Sequence, residues 1–199
     1  MKSAHQKTLP PSSKFKSRKP KILQVVQLGL EESVLRQKAK TVKDVFDQEV
    51  QDLIDDLLAT CKDFDGVGIA APQVGESLRI CIIASAPNAR YPDAPRMVPT
   101  AMINPKITHR SPNKFKGWEG CLSFPGMRAL VPRHFEITVE YTDRNGNFKQ
   151  KTYENFIARI IQHELEHLNG GMFFYGAKKS EIVTEKEYLR LLAKEAREK

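Results

Sequence analysis

Residues 135–171 read FEITVEYTDRNGNFKQKTYENFIARIIQHELEHLNGG, and two hydrophobic periods succeed one another within them. Phe135, Ile137, Val139 and Tyr141 alternate with Glu136, Thr138, Glu140 and Thr142, the period of a strand with one buried face. Asp143–Asn147 contains Asn145-Gly146, and Phe148–Tyr153 returns, so the spacing predicts an antiparallel hairpin. From about Glu154 the apolar spacing becomes helical and runs to Leu168, where Asn169-Gly170-Gly171 ends it. Two strands followed by a helix, with no strand–helix–strand repeat, place the chain in the α+β class.

That helix contains Gln162-His163-Glu164-Leu165-Glu166-His167. Two histidines four apart share a helix face and can reach one metal, and a Glu beside the first can act on a water there. Two surface histidines are the plain alternative. A helical wheel at about 100° per residue discriminates: His163, His167 and Glu164 fall on or beside the arc of Phe156, Ile157, Ile160 and Leu168. Asn155, Ala158, Arg159, Gln162, Glu166 and Asn169 fall opposite. Two imidazoles and a carboxylate turned to a core cost several kcal/mol unless compensated, and a divalent cation compensates them. Glu166, on the outer arc, reads as an exposed or supporting residue. A catalytic metal needs a third protein ligand; Glu181, Glu185 and Glu187 are the downstream candidates, Cys121, Glu119 and His109 the upstream ones.

Outward from the helix, residues 47–64 place Val50, Leu53, Ile54, Leu57, Leu58, Cys61 and Phe64 at helical spacing, with Asp47 as N-cap and Gly66 past the end. RICIIA (79–84) reads as a short buried strand. Cys61 and Cys81 are expected in the core. Thr184 and Glu187 have capping-box spacing before a C-terminal helix over 185–198. The expected architecture is therefore antiparallel strands and hairpins around a central metal-binding helix, with a C-terminal helix.

The chain has 199 residues, 40% hydrophobic and 28% charged, enough for one domain with its own core. No apolar run approaches the roughly 20 residues of a membrane span. Three cysteines make no disulfide framework and fit a reducing compartment. The net charge of +8 suggests nucleic acid until it is located. Of 32 Lys and Arg, seven fall in residues 1–21 without an acid, leaving 25 against 24 acids in the body. The excess is an arm, and a groove that reads nucleic-acid sequence is disfavoured. Residues 1–21, rich in Lys, Ser and Pro, are expected to be a disordered arm, and 22–199 a single catalytic domain. A solvated tail on a cytoplasmic, bacterial-type protein is the expected setting, with an organellar transit role for the arm as the alternative.

Two further segments are unusual in composition: GVGIAAPQVG (66–75), small residues with one amide, and GWEGCLSFPG (117–126), a cysteine among glycines. The first lacks the Lys-Ser/Thr that follows the glycines of a phosphate loop. In the order GVGIAAPQ, EGCLS, HELEH, the chain resembles the peptide deformylases over about residues 22–175, at that family's separations. The resemblance implies Cys121, His163 and His167 as ligands of one divalent metal per chain, Fe2+ first and Zn2+, Ni2+ or Co2+ as substitutes. It implies Glu164 as acid/base, and the Gln73 amide and Leu122 N–H as oxyanion donors. It also implies Val67, Gly68 and Gly120 as backbone contacts for a peptide bound as an added strand, and Arg128 near the cleft. Glu166 stands where the family usually has Asp, Ile69 for Leu, and Phe124 for a smaller aliphatic that could reshape the cleft.

The implied function is metal-dependent removal of the N-formyl group from the formylmethionine of nascent polypeptides, releasing formate. The implied partners are N-formyl-Met nascent peptides, with ribosomal RNA at the C-terminal helix; a monomer is expected, with no membrane. The alternatives are a small zinc endopeptidase with a downstream Glu ligand, and a non-catalytic module that binds peptides or ribosomes.

Overall fold

The computed structural model describes residues 18–29 and 34–198, without the side chains of residues 195 and 196. The arm expected over 1–21 lies outside the described residues up to position 17. At its inner end Arg18 is already fastened to the fold, with Nε 2.7 Å from Asp52 Oδ2 and Nη2 2.6 Å from Asp56 Oδ2.

Helix α1 (Gln48–Asp63) begins where the Asp47 side chain accepts the Glu49 N–H, the cap its sequence promised. Strands β1 (Gly68–Ala70), β2 (Ile80–Ile83), β3 (Thr100–Arg110), β6 (Glu136–Thr142) and β7 (Phe148–Glu154) form one antiparallel sheet in the order β1-β2-β3-β6-β7. Strands β4 (Lys114–Cys121), β5 (Phe124–His134) and β8 (Ile182–Thr184) form a second in that order. Helix α2 (Asn155–Leu168) packs on β1 and β2 of the first sheet and on β5 of the second. Helix α3 (Glu185–Arg197) closes the chain, its N-cap Thr184 accepting the Glu187 N–H.

The short run ICII of β2 is buried at every residue because both of its faces are covered. Ile80 and Ile82 meet Leu53, Ile54, Leu57 and Cys61 of α1, while Cys81 and Ile83 meet Ile160, Ile161 and Leu165 of α2. A strand sandwiched in this way loses its alternation. The β6–β7 hairpin keeps it: Ile137, Val139 and Tyr141 are buried. Phe135, expected on that face, is instead 37% exposed, just before β6, with its ring 5.7 Å from that of Phe115.

The wheel's outer arc requires a correction. Arg159 is 4% and Gln162 7% exposed, and Ala158 is fully buried, because the second sheet covers that side of α2. Polar side chains are tolerated there because each finds partners. Arg159 donates to the carbonyls of Phe115 and Val131, both at 2.9 Å. Gln162 Nε2 donates to His134 O, and its Oε1 accepts from His134 N.

Candidate active site and metal centre

Three elements meet at one point. The β4–β5 hairpin turns at Leu122–Ser123, directly after Cys121. Helix α2 presents His163 and His167, and a 3-10 turn, Ala71–Val74, presents Gln73. The donor atoms of Cys121, His163 and His167 lie within 4.8 Å of one another, and Cys121 Sγ is 3.2 Å from His167 Nε2. Upstream Cys121, and not a downstream Glu, thus joins the histidines. Among the described residues Glu181 pairs with Lys116, Glu185 with Arg128 and Glu187 with Arg190, and His109 is exposed on β3.

The donor set fits a divalent cation. Two buried polar atoms, Glu164 Oε2 and His167 Nδ1, have no hydrogen-bond partner among the described residues, and both belong to this cluster. Burial opposes ionisation of the Cys121 thiol, but His167 and His163 bring it down to about 5, so a thiolate is available as a ligand. A soft thiolate with two imidazoles suits Zn2+, Fe2+, Ni2+ or Co2+ better than a hard oxygen-seeking ion.

The supporting shell is more elaborate than the sequence suggested. Glu119, 4% exposed, accepts from His163 Nδ1 at 2.9 Å, from Arg133 Nε and Nη2 at 2.9 Å each, and from Arg159 Nη1 at 2.8 Å. That bond to Nδ1 leaves His163 Nε2 for a metal, an arrangement common among metal-binding histidines. Burial opposes the Glu119 charge, yet Arg133 and His163 hold its carboxyl down to about 2. Arg133 also grips Glu166 through Nη1 at 2.6 Å and Nη2 at 3.0 Å, so Glu166 supports the cluster from outside. Glu119 was a ligand candidate on sequence grounds; in the fold it is the partner of a ligand. Its two arginines were missed, and the one local signal for Arg159 was the smallness of Gly117, where a Cβ would fall 2.8 Å from the Arg159 guanidinium carbon.

Glu164 is buried beside the cluster, and burial pushes its carboxyl up to about 7 against the pull of His163 and His167. A group poised there can both accept and return a proton near neutrality. Gly68 leaves it space: a Cβ on Gly68 would stand 2.6 Å from Glu164 Oε1. Gln73 Oε1 accepts the Ala70 N–H at 2.8 Å, which turns Nε2 toward Cys121 Sγ, 3.5 Å away, and Ser123 Oγ, 3.4 Å away. An extended N-terminal strap fixes both neighbours: Val26 N–H donates to Gln73 O, and Leu28 N–H to Ser123 O.

A cleft opens beside this cluster, lined by Val67, Gly68, Gln73, Gly120, Cys121, Leu122, His163 and Glu164, together with Tyr91, Trp118 and Phe156. Strands β1 and β4 are both sheet edges, and both line it. Of the residues expected at the site, Arg128 is not among the lining residues; its guanidinium turns behind Gly120 to Glu185. Phe124 packs against Phe173 and Phe174 and does not line the cleft either. Cys61 and Cys81 are buried in the two cores.

The family model described as polypeptide deformylase matches residues 22–182. The chain is 53% identical over 176 residues to peptide deformylase 2 of Nostoc sp., covering 88% of this chain and 97% of that one. Among solved structures, it is similar to the Met-Ala-Ser-bound class I type b peptide deformylase of Acinetobacter baumannii, with TM-score 0.75 and 41% identity, covering 78% of this chain and 98% of that one. The peptide deformylase of Thermotoga maritima aligns with TM-score 0.69 and 32% identity over 79% of this chain and 98% of that one.

Proposed function

The chain belongs to the polypeptide deformylase family, a hydrolase that removes the N-formyl group from nascent polypeptides, and on that premise we propose how its own residues divide the work. Cys121, His163 and His167 are assigned as the ligands of one divalent metal. Such an ion would lower the pKa of a water molecule and polarise the formyl oxygen. Glu164 takes a proton from the attacking water as its oxygen bonds to the formyl carbon. The C–N bond then breaks, Glu164 returns the proton to the departing amine, and formate leaves. Gln73 Nε2 and the Leu122 N–H steady the negative charge that develops on the formyl oxygen, a contact whose loss costs about 2.7–4 kcal/mol in other enzymes. The peptide lies as an extra strand between the β1 and β4 edges, against the backbone of Val67, Gly68 and Gly120.

One observation carries this assignment: a buried carboxylate, Glu164, with one oxygen unpartnered among the described residues, beside a cysteine and two histidines whose donor atoms converge. The test is formate release from a formyl-Met peptide by metal-loaded protein, with internal peptide bonds left intact. Cleavage of internal bonds without formate would replace the assignment by an endopeptidase.

Fe2+ is the resident ion on this reading, supported by the resemblance to the family; activity should then decay in air and persist longer with nickel or cobalt. The protein works as a cytoplasmic monomer, one catalytic domain over residues 22–199 behind a basic arm. Among the described residues no helix is long and apolar enough to cross a membrane. Lys186, Arg190, Lys194 and Arg197 on α3, with Lys178, Lys179 and Lys199 flanking it in the sequence, are offered to ribosomal RNA, and ribosome binding that weakens steeply with salt is the expected signature.

A further inference from the structure

Outside the metal cluster, polar and aromatic contacts converge on Arg128. Its Nε and Nη2 donate to the two oxygens of Glu185 on α3, at 2.7 and 3.0 Å. Nη1 lies 3.4 Å from the Tyr91 hydroxyl. The guanidinium carbon stands 5.0 Å from the centre of the Tyr188 ring, also on α3, and 5.9 Å from that of Tyr91. Tyr188 in turn meets the indole of Trp118, with ring centres 5.3 Å apart. A Cβ on Gly120 would fall 2.9 Å from Arg128 Nη1, so the guanidinium passes directly behind that glycine.

These residues form two layers. Tyr91, Trp118 and Gly120 line the cleft; Arg128, Glu185 and Tyr188 stand behind them. The rear layer is anchored because β8 pairs with β5, Arg128 opposite Val183 and Met127 opposite Thr184, which starts α3 beside Arg128. A two-oxygen arginine–carboxylate pair is among the stronger and more directional contacts available. It holds an arginine whose side chain is only 7% exposed.

We propose that Glu185 and Tyr188 are positioning residues for the peptide. They hold Arg128, and through it the Tyr91–Gly120–Trp118 wall, against the residues that follow the formylmethionine. In a strand, residues two apart are separated by roughly 6.6 Å, so Trp118 lies one such step along β4 from Gly120. The wall therefore faces the second and third residues of an added strand and not the formyl group. The C-terminal segment is then part of the substrate site, and a contact made by α3 would be felt in the cleft. This inference rests on the deformylase reading above.

The test compares kcat and KM of metal-loaded protein on formyl-Met amide and on formyl-Met-Ala-Ser amide, amidated so that a released Arg128 gains no new carboxylate. Glu185→Ala is expected to raise KM for the longer peptide about tenfold, the scale of one lost charge-assisted hydrogen bond, with kcat and the short substrate within about twofold. Arg128→Ala should do the same, and adding Glu185→Ala to it should do nothing more. Tyr188→Leu, which removes the ring against Arg128 and Trp118, should resemble Glu185→Ala. Glu187→Gln, on the same turn of α3, should match wild type.

Trp118 is the single tryptophan, so its emission gives a second readout without turnover. Titration with Met-Ala-Ser amide should shift the emission in wild type at a concentration about tenfold lower than in Glu185→Ala. Equal KM and equal titrations in the two proteins would overturn the proposal. So would equal losses on both substrates, which would mark Glu185 as merely structural. Wild-type protein that releases no formate from either substrate would instead overturn the deformylase reading.

Discussion

On the side of α2 that faces the five-stranded sheet, Ile160, Ile161, Leu165 and Leu168 meet Cys81, Ile83, Met102 and Val139. On the side that faces the three-stranded sheet, Arg159 and Gln162 reach backbone carbonyls of β4 and β5, and Glu166 reaches Arg133. Apolar burial on the first side is non-directional: it fixes how deep the helix sits but tolerates small rotations. The hydrogen bonds of the second side are directional, and those of Arg133 and Arg159 converge on Glu119, which holds His163. His163, Glu164 and His167 lie where the two sides meet. Metal chemistry needs placement to within about 0.5 Å, and the bonded side supplies it.

The sharpest way to break this comparison is on the helix itself. Glu164→Ala is expected to lower kcat by at least about 10²–10⁴-fold, the range of a lost proton-transfer group, with metal content near one per chain. Glu166→Ala, whose lost carboxylate pairs with Arg133 and is not aimed at the cluster, should cost far less. Equal losses in the two variants, read by formate assay and metal analysis, would mean that the roles given to the two sides are wrong. Cys121→Ser should lose most bound metal, since a neutral hydroxyl replaces a thiolate. Cys61→Ser and Cys81→Ser, which alter only the two apolar cores, should keep metal stoichiometry and lose stability.

What could be read in advance divides along the same line. The β6–β7 hairpin, the three helices with the Asp47 and Thr184 caps of α1 and α3, and the two histidines are written in local periods and spacings. A residue's neighbours along the chain suffice to see them. The second sheet is not written that way. Its strands mix glycine, arginine and single apolar residues, as in GWEG and MRALVPR, and they give no clean period. Arg159 and Gln162 fall on the outer arc of the wheel, where a polar side chain looks solvent-bound. Their partners stand 28 to 44 residues away in the chain. Glu119 was visible as a candidate ligand but not as the partner of His163, because that role exists only once β4 lies beside α2.

Stability should separate the two sides as well. Glu119→Ala removes the carboxylate that two buried arginines share, and losing one partner of a buried ion pair costs about 3–5 kcal/mol. Ile161→Val, a lost methyl on the apolar side, should cost about 0.5–1.5 kcal/mol. Denaturant unfolding of the two variants checks the ordering. A Glu119→Ala cost no larger than that of Ile161→Val would mean the bonded side contributes placement but little stability.

The smallest expected effect on turnover lies at the other end of the chain, where the half-buried Arg18 pairs with Asp52 and the buried Asp56 of α1, outside the metal cluster. Arg18 bridges Asp52 and Asp56, and the Lys21 N–H also donates to Asp56 Oδ1. Deleting residues 1–17 should therefore leave both turnover and melting temperature unchanged, whereas deleting 1–20 should lower the melting temperature while sparing turnover of a short formyl-peptide. Arg18→Ala should reproduce the second result. The pH dependence fixes the cause. Burial raises the Asp56 pKa, but Arg18 and the Lys21 N–H outweigh it, so in the folded protein the pKa lies below its ordinary 3.8. A carboxylate whose folded pKa is depressed contributes stability above its unfolded pKa, and that contribution is lost as pH falls through the folded value. The gap in melting temperature between wild type and Arg18→Ala should hold near neutrality and narrow as pH drops below about 4. A gap that stays constant down to pH 3 would assign the effect of Arg18 to packing of its side-chain stem on α1 and not to its charge.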